Sequence, residues 1–484
     1  MSGNFRKFFK ESTLYLGGLV LNRLVSFLLL PIYTNFFDKT QNGIITIAYA
    51  FLGFMVIILP YGTDAALLNF YTGNDREVKN YFSSAYSLVL ISNLLILGLA
   101  FLARNSLSQA VLRVSDPHIF VWCLIILFFD TLNGLTLLVL RAEGRPLTFI
   151  SFSLANVLLA MGLNIFLVVH RRLGLVGIFY SNILTSGMIW LGLLPLVLKR
   201  LDLRLISGKY IRNLVRFGFP FLPAGIFAMI LDLSDRWFLE YFTDMETVGL
   251  YGVGYKLAAV MLVFVLAFNS AWQPFFLKAR REQNTPNIIA RVSFFVIGGL
   301  AFCWLFFSIW MNYIVRIKIS GRYLIGAEFW AGTSITPLIM LAYFFQALYL
   351  LQLPSIFLLE KTKWEPVFRG LGAATNIILN IVFIPRLGMS GAAIATVLAY
   401  LAMVIAIWFF NRKYYPIKYD WYKIGAIIVL TAAAYLVAIW GDSVIYRVIA
   451  TGIGLLGIGG ILLLPLKGRI LPILKKKVTN KNSL

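Results

Sequence analysis

Phe36-Phe37-Asp38-Lys39-Thr40-Gln41-Asn42-Gly43 and Phe242-Thr243-Asp244-Met245-Glu246-Thr247-Val248-Gly249 align without a gap, 206 residues apart. Each stretch follows a helix interrupted by polar residues and opens the next helix. A second pair extends the match. Asn156…Leu163-Asn164-Ile165…Arg172-Leu173-Gly174-Leu175-Val176-Gly177 resembles Asn376…Leu379-Asn380-Ile381…Arg386-Leu387-Gly388-Met389-Ser390-Gly391. The offset is 216 at the Leu-Asn pair and 214 at the glycines, a two-residue gap. Two matches at nearly one offset point to a duplicated unit.

The duplicated unit is a membrane one. Of 484 residues, 60% are hydrophobic, 15% aromatic and only 13% charged, against roughly 25% charged in soluble domains. The mean hydropathy is +0.84. These values exclude a soluble globular chain, a disordered one, a coiled coil and collagen. A spanning helix needs about 20 apolar residues. Fourteen runs qualify: 13–36, 43–62, 80–103, 118–140, 147–170, 174–198, 213–240, 249–272, 288–313, 331–359, 366–385, 389–410, 422–440 and 443–466. The basic start Phe5-Arg6-Lys7 resembles a signal peptide. The apolar run after it is too long, contains Arg23 and lacks a small-residue cleavage site, so it reads as a retained first span.

The expected fold is therefore an all-α integral membrane protein of about fourteen transmembrane helices. Residues 1–198 form an N-terminal lobe of helices 1–6, and 199–216 a cytoplasmic linker. Residues 217–411 form a C-terminal lobe of helices 7–12, and 412–484 hold helices 13–14 with a basic tail. Six spans per copy is an even number, so both copies share one orientation, the parallel-repeat arrangement of transporters.

The net charge of +23 is mostly topology. With the N-terminus inside, thirty Lys and Arg fall in inside segments and nine outside, which places both termini in the cytoplasm. Loop cations facing anionic headgroups explain the excess without nucleic acid. The two cysteines, Cys123 and Cys303, lie in apolar runs, and the histidines are His118 and His170. This set supports no metal site and no cofactor. The connections are short, which leaves little loop on which to build a catalytic site, so no enzyme activity is expected.

Ionisable residues inside spans cost about 2.5–3.5 kcal/mol each on the insertion scale and call for a reason. Arg23 is central in helix 1. Asp130 is central in helix 4, beside Thr131 and Asn133. Helix 7 carries Asp232, Asp235 and Arg236, with Asp232 and Arg236 at i,i+4. Lys256 is about two turns into helix 8, and Arg447 lies in helix 14, where snorkelling accounts for it. Asp64 closes helix 2. Asn156, Asn164, Asn376 and Asn380 recur in both copies and read as hydrogen-bonding links between helices. Pro220 and Pro223 must interrupt helix 7, and Pro31 lies late in helix 1, so the first helix of each copy is a hinge candidate.

Taken together, these motifs resemble a known group. The stretches are Asn22-Arg23-Leu24-Val25-Ser26-Phe27-Leu28-Leu29-Leu30-Pro31, Tyr61-Gly62-Thr63-Asp64-Ala65-Ala66, Ser234-Asp235-Arg236-Trp237 and Gly249-Leu250-Tyr251, with Ile384-Pro385-Arg386-Leu387-Gly388 and Gly391-Ala392-Ala393 in the second copy. The chain resembles the polysaccharide-transporter branch of the multidrug/oligosaccharidyl-lipid/polysaccharide exporter superfamily, the O-antigen and capsule repeat-unit flippases. One departure is Asn69, where many relatives carry Arg.

The resemblance implies export of an undecaprenyl-diphosphate-linked oligosaccharide across the bacterial cytoplasmic membrane by alternating access. The diphosphate would favour Arg23, Lys256 and Arg236. Asp64, Asp130, Asp232 and Asp235 are the candidates for an acidic lining or for coupling to a proton or sodium ion. Membrane lipids and polysaccharide-assembly proteins are the implied partners. A lipid II flippase and a drug/cation antiporter of the same superfamily are the neighbouring readings. A membrane glycosyltransferase or polymerase is disfavoured by the short loops.

Overall fold

The computed structural model describes residues 27–71, 75–279, 284–319, 321–441 and 443–479. In chain order the helices are α1 (Leu30–Phe36), α2 (Lys39–Ile58), α3 (Thr63–Phe70), α4 (Asp75–Leu102), α5 (Arg104–Leu107), α6 (Pro117–Ala142), α7 (Pro146–Asn164), α8 (Gly174–Arg200), α9 (Gly208–Gly218), α10 (Leu222–Leu233), α11 (Asp235–Phe242) and α12 (Met245–Ala279). They continue with α13 (Thr285–Ile314), α14 (Thr336–Gln352), α15 (Pro354–Leu358), α16 (Trp364–Tyr414), α17 (Trp421–Trp440) and α18 (Val444–Thr479). A two-residue ribbon, β1 (Lys318–Ile319) against β2 (Arg322–Tyr323), is antiparallel with Lys318 opposite Tyr323.

Twelve helical segments among the described residues are long and apolar enough to cross a membrane. They account for expected spans 2 to 14. Spans 366–385 and 389–410 run together as α16, which bends at Gly388 (φ 54°, ψ −133°). Most of the first expected span, Arg23 included, lies outside the described residues, and α1 is its end. The helices often overrun their apolar stretches: α12 has 35 residues, well beyond the 24 of expected span 249–272.

Expected helix 7 is not one rod. It divides into α9, a 3₁₀ turn at Phe219–Phe221, α10 and α11. Pro220 sits in the turn and Pro223 in the first turn of α10, where a missing N–H costs no helical bond. Pro31 likewise occupies the first turn of α1.

The described chain forms two compact units. One comprises Met1–Leu257, Lys318–Ile335 and Lys363–Ala399. The other comprises Ala258–Ile317, Thr336–Thr362 and Tyr400–Leu484. In the first, Leu67, Phe82, Val89, Leu132 and Leu214 belong to one buried cluster. In the second, Leu305 and Ile309 of α13 pack with Ala434 and Ala438 of α17 and Ala450 of α18. Small side chains let helix backbones approach where lipid supplies no hydrophobic drive.

The repeat survives in backbone detail within the first unit. Asp38 caps α2 by accepting from the Gln41 amide at 2.8 Å, and Asp244 accepts from the Thr247 amide at 2.7 Å. These are matched positions, 206 apart. Such caps are worth about 1 kcal/mol each. Gly174 and Gly388 both adopt positive φ, 60° and 54°, which glycine tolerates. A Cβ on Gly177 would press on the Leu167 carbonyl, and one on Gly391 on the Phe383 carbonyl. The two-residue gap has a visible cause. In the first copy the chain between Asn164 and Gly174 forms a π-helical turn, Ile165–His170, whose wider coil takes up extra residues.

Candidate functional site

Lys256 lies eleven residues into α12, about 16 Å along the helix. Its ammonium stands 5.5 Å from the centroid of the Tyr33 ring and 6.0 Å from that of Tyr49. No carboxylate among the described residues pairs with it. A cation–π contact returns about 0.5–2 kcal/mol, less than the several kcal/mol needed to take an ammonium out of water. Among the described residues that cost is only partly offset.

The two phenols are held from behind. The Tyr33 hydroxyl donates to Asn164 Oδ1 at 3.0 Å. Asn164 Nδ2 donates to Ser181 Oγ at 2.8 Å and to the Ala160 carbonyl at 2.8 Å. Asn182 Nδ2 donates to the Tyr49 hydroxyl at 2.8 Å. These links tie α1, α2, α7 and α8 into one polar layer. Asp130 of α6 accepts from Ser186 Oγ of α8 at 2.6 Å, and Asn133 Nδ2 donates to the Ser186 carbonyl at 2.9 Å.

Arg236 sits differently. Its guanidinium pairs with the Asp235 carboxylate at 2.6 Å and also donates to the Asp232 carbonyl. It lies 4.2 Å from the Tyr255 ring centroid. The Tyr251 hydroxyl donates to the other Asp235 oxygen. Arg236 is 5% exposed and Asp235 1%. This is a closed ion pair with aromatic walls. Its neighbour Asp235, and not only the i,i+4 residue Asp232, supplies the countercharge, because α10 ends at Leu233 and α11 begins at Asp235.

The remaining candidates are scattered. Asp64 is exposed in the first turn of α3. Asn380 Nδ2 donates to Asn376 Oδ1 at 2.9 Å, and Ser234 Oγ donates to the same atom at 3.1 Å. Asn376 thus links α16 to the junction of α10 and α11 at Ser234, while Asn380 bonds to it within α16. In the second unit Arg447 donates to the Tyr313 hydroxyl and lies 4.7 Å from that ring's centroid. Tyr33, Tyr49, Asn182 and Ser186 were not singled out by sequence, since an aromatic or small polar residue in a span carries no signal of its own.

Residues 8–280 match the polysaccharide biosynthesis protein family. The chain belongs to that family. Within the polysaccharide biosynthesis family, Lys256 and its tyrosines fall inside the matched region. Two curated relatives are each 24% identical. One is an uncharacterized membrane protein of Methanocaldococcus jannaschii, aligned over 43% of this chain and only 41% of its own length. The other is Lsg locus putative protein 1 of Haemophilus influenzae, aligned over 57% of this chain and 68% of its own.

Solved structures share the fold. The lipid II flippase MurJ, in an inward closed conformation, gives a TM-score of 0.72 at 16% identity, covering 96% of this chain and 98% of that one. An inward-facing multidrug resistance MATE family transporter of the MOP superfamily gives 0.67 at 14% identity, covering 81% and 94%. This family member is accordingly a multi-pass membrane protein with a transporter and flippase fold.

Proposed function

We propose that this protein exports an undecaprenyl-diphosphate-linked oligosaccharide from the inner to the outer leaflet of the cytoplasmic membrane, for cell-surface polysaccharide synthesis such as O-antigen, capsule or exopolysaccharide. The observation that carries this reading is Lys256: a cation deep in a membrane helix, faced by two phenols and by no carboxylate among the described residues. A diphosphate is the anion such a site suits, and the asparagine-anchored hydroxyls suit a sugar. Lobes 1–198 and 217–411 alternate access, with Pro31, Pro220 and Pro223 as hinges. Both termini lie in the cytoplasm, and Arg23 joins Lys256 at the diphosphate. Arg236 contributes through the shape of its ion pair. Asp130, held by Ser186 alone among the described residues, is the best placed of the acids for a coupling proton or sodium ion.

The test is deletion of the gene followed by fractionation of the lipid-linked repeat unit. Accumulation in the inner leaflet, reversed by the wild-type gene, supports export. Loss of the lipid-linked unit altogether would mean synthesis instead.

A lipid II flippase is the second reading, favoured by the MurJ likeness over 96% of the chain. Complementation of a lipid II flippase deletion separates the two. A drug/cation antiporter is less suited to a lysine with no carboxylate partner among the described residues, which repels a cationic cargo.

A further inference from the structure

In the second unit, α13, α14, α16 and α17 enclose an apolar cavity of about 200 Å³. Ile297, Leu348 and Val404 are among its walls. It opens sideways past Trp421 and Ile428, which are 57% and 53% exposed. One end carries aromatic and polar groups: Trp408, Tyr419 and Ser293. Gln352 Oε1 is buried without a hydrogen-bond partner among the described residues, and the buried Ser293 Oγ and Tyr419 hydroxyl have only each other. That end also adjoins the basic residues of the last turn of α16 and of the loop that follows it. Arg412 lies 5.7 Å from the Trp408 ring centroid, Lys413 and Lys418 are exposed, and Asp420 is already paired with Lys423.

An apolar slot that opens to lipid, with tryptophan and tyrosine at its mouth and cations beyond them, matches the profile of a glycerophospholipid across the headgroup boundary. We propose that this cavity is a resident site for an anionic phospholipid of the leaflet that faces the basic loops. One acyl chain fills the slot, its ester region meets Ser293, Tyr419 and Gln352, and its phosphate lies among Arg412, Lys413 and Lys418. The lipid is a fixed partner of the second unit and not the cargo. The proposal rests on the membrane reading of the chain, but not on what Lys256 binds.

The test is native mass spectrometry of the full chain from micelles containing equal phosphatidylglycerol and phosphatidylcholine. One phosphatidylglycerol should be retained with about tenfold preference. Ile297→Trp should fill the slot and abolish retention. The exposed double change Arg412→Gln, Lys418→Gln leaves the slot intact and should remove the preference while the protein still melts cooperatively. Equal retention of both lipids by the unaltered chain would overturn the proposal. So would a preference unchanged by the charge variant, or displacement of phosphatidylglycerol by an added polyprenyl diphosphate, which would make the slot part of the cargo path. None of these readouts depends on transport.

Discussion

The Lys256 ammonium stands over the Tyr33 ring, whose hydroxyl is fixed by Asn164. A buried cation with no carboxylate partner among the described residues is a cost to the fold, retained for something else. Lys256→Met should therefore leave the melting temperature unchanged or raised, while export falls by about tenfold or more through loss of a charge-assisted contact. Lys256→Arg should keep part of the activity. The checks are thermal melting of purified protein and surface glycan in a complemented deletion strain.

Arg236 should behave in the opposite sense. Its removal leaves Asp235 buried and uncompensated, so Arg236→Ala should destabilise by about 3–5 kcal/mol. Adding Asp235→Asn to it should recover part of that loss. A double-mutant cycle on melting temperature measures the coupling, and additive losses would count against the pair.

Arg23 is the candidate that the described residues do not reach. Arg23→Ala should abolish export with the protein still in the membrane, and Arg23→Lys should be partly active. Normal surface glycan in the alanine strain would remove Arg23 from the site.

Glu143, at the end of α6, accepts from Arg200 at 2.7 and 2.5 Å and from the Tyr71 hydroxyl at 2.9 Å. Burial pushes its carboxyl up, but the Arg200 and Tyr71 bonds and the Arg200 charge outweigh that and hold it below the usual glutamate range. A depressed pKa means that the stabilisation is present above the unfolded value and is lost as pH falls through the folded one. The melting-temperature gap between wild type and Glu143→Gln should be widest near neutral pH and close in acid below about pH 4. A gap that widens in acid would contradict this sign.

Gly249 admits no side chain, because a Cβ there would overlap the Lys39 carbonyl. Gly249→Leu should cost about 1–3 kcal/mol by overpacking. Gly98→Ala, with open space around it, is the control and should be neutral. Melting of both variants tests the pair.

Spans and repeat were legible because both are written in one dimension: apolar length and matched spacing. The π-turn at Ile165–His170 shows how far that went, since the two-residue gap was visible but its shape was not. The site was harder to read. Spacing pointed Arg236 at Asp232, whereas the break at Ser234 lets it also reach Asp235. Lys256 was found as a charge in a span, but its tyrosines come from residues more than 200 positions earlier, and nothing local in Tyr33 or Tyr49 marks them.

Thr46 and Gly252 hold one position in the two copies, 206 apart, and they face each other: a Cβ on Gly252 would collide with the Thr46 side chain. Around them Gly43 abuts Met245 and Gly249 abuts Lys39, which are again matched pairs exchanged. An approximate dyad thus passes between Thr46 and Gly252. A homodimer of a single copy would have to place two threonines there, which do not fit, or two glycines, which leave a gap. Fusion into one chain removes that constraint, so a large residue on one side can be met by a small one on the other. The tandem gene allows a tighter axis than symmetry would permit.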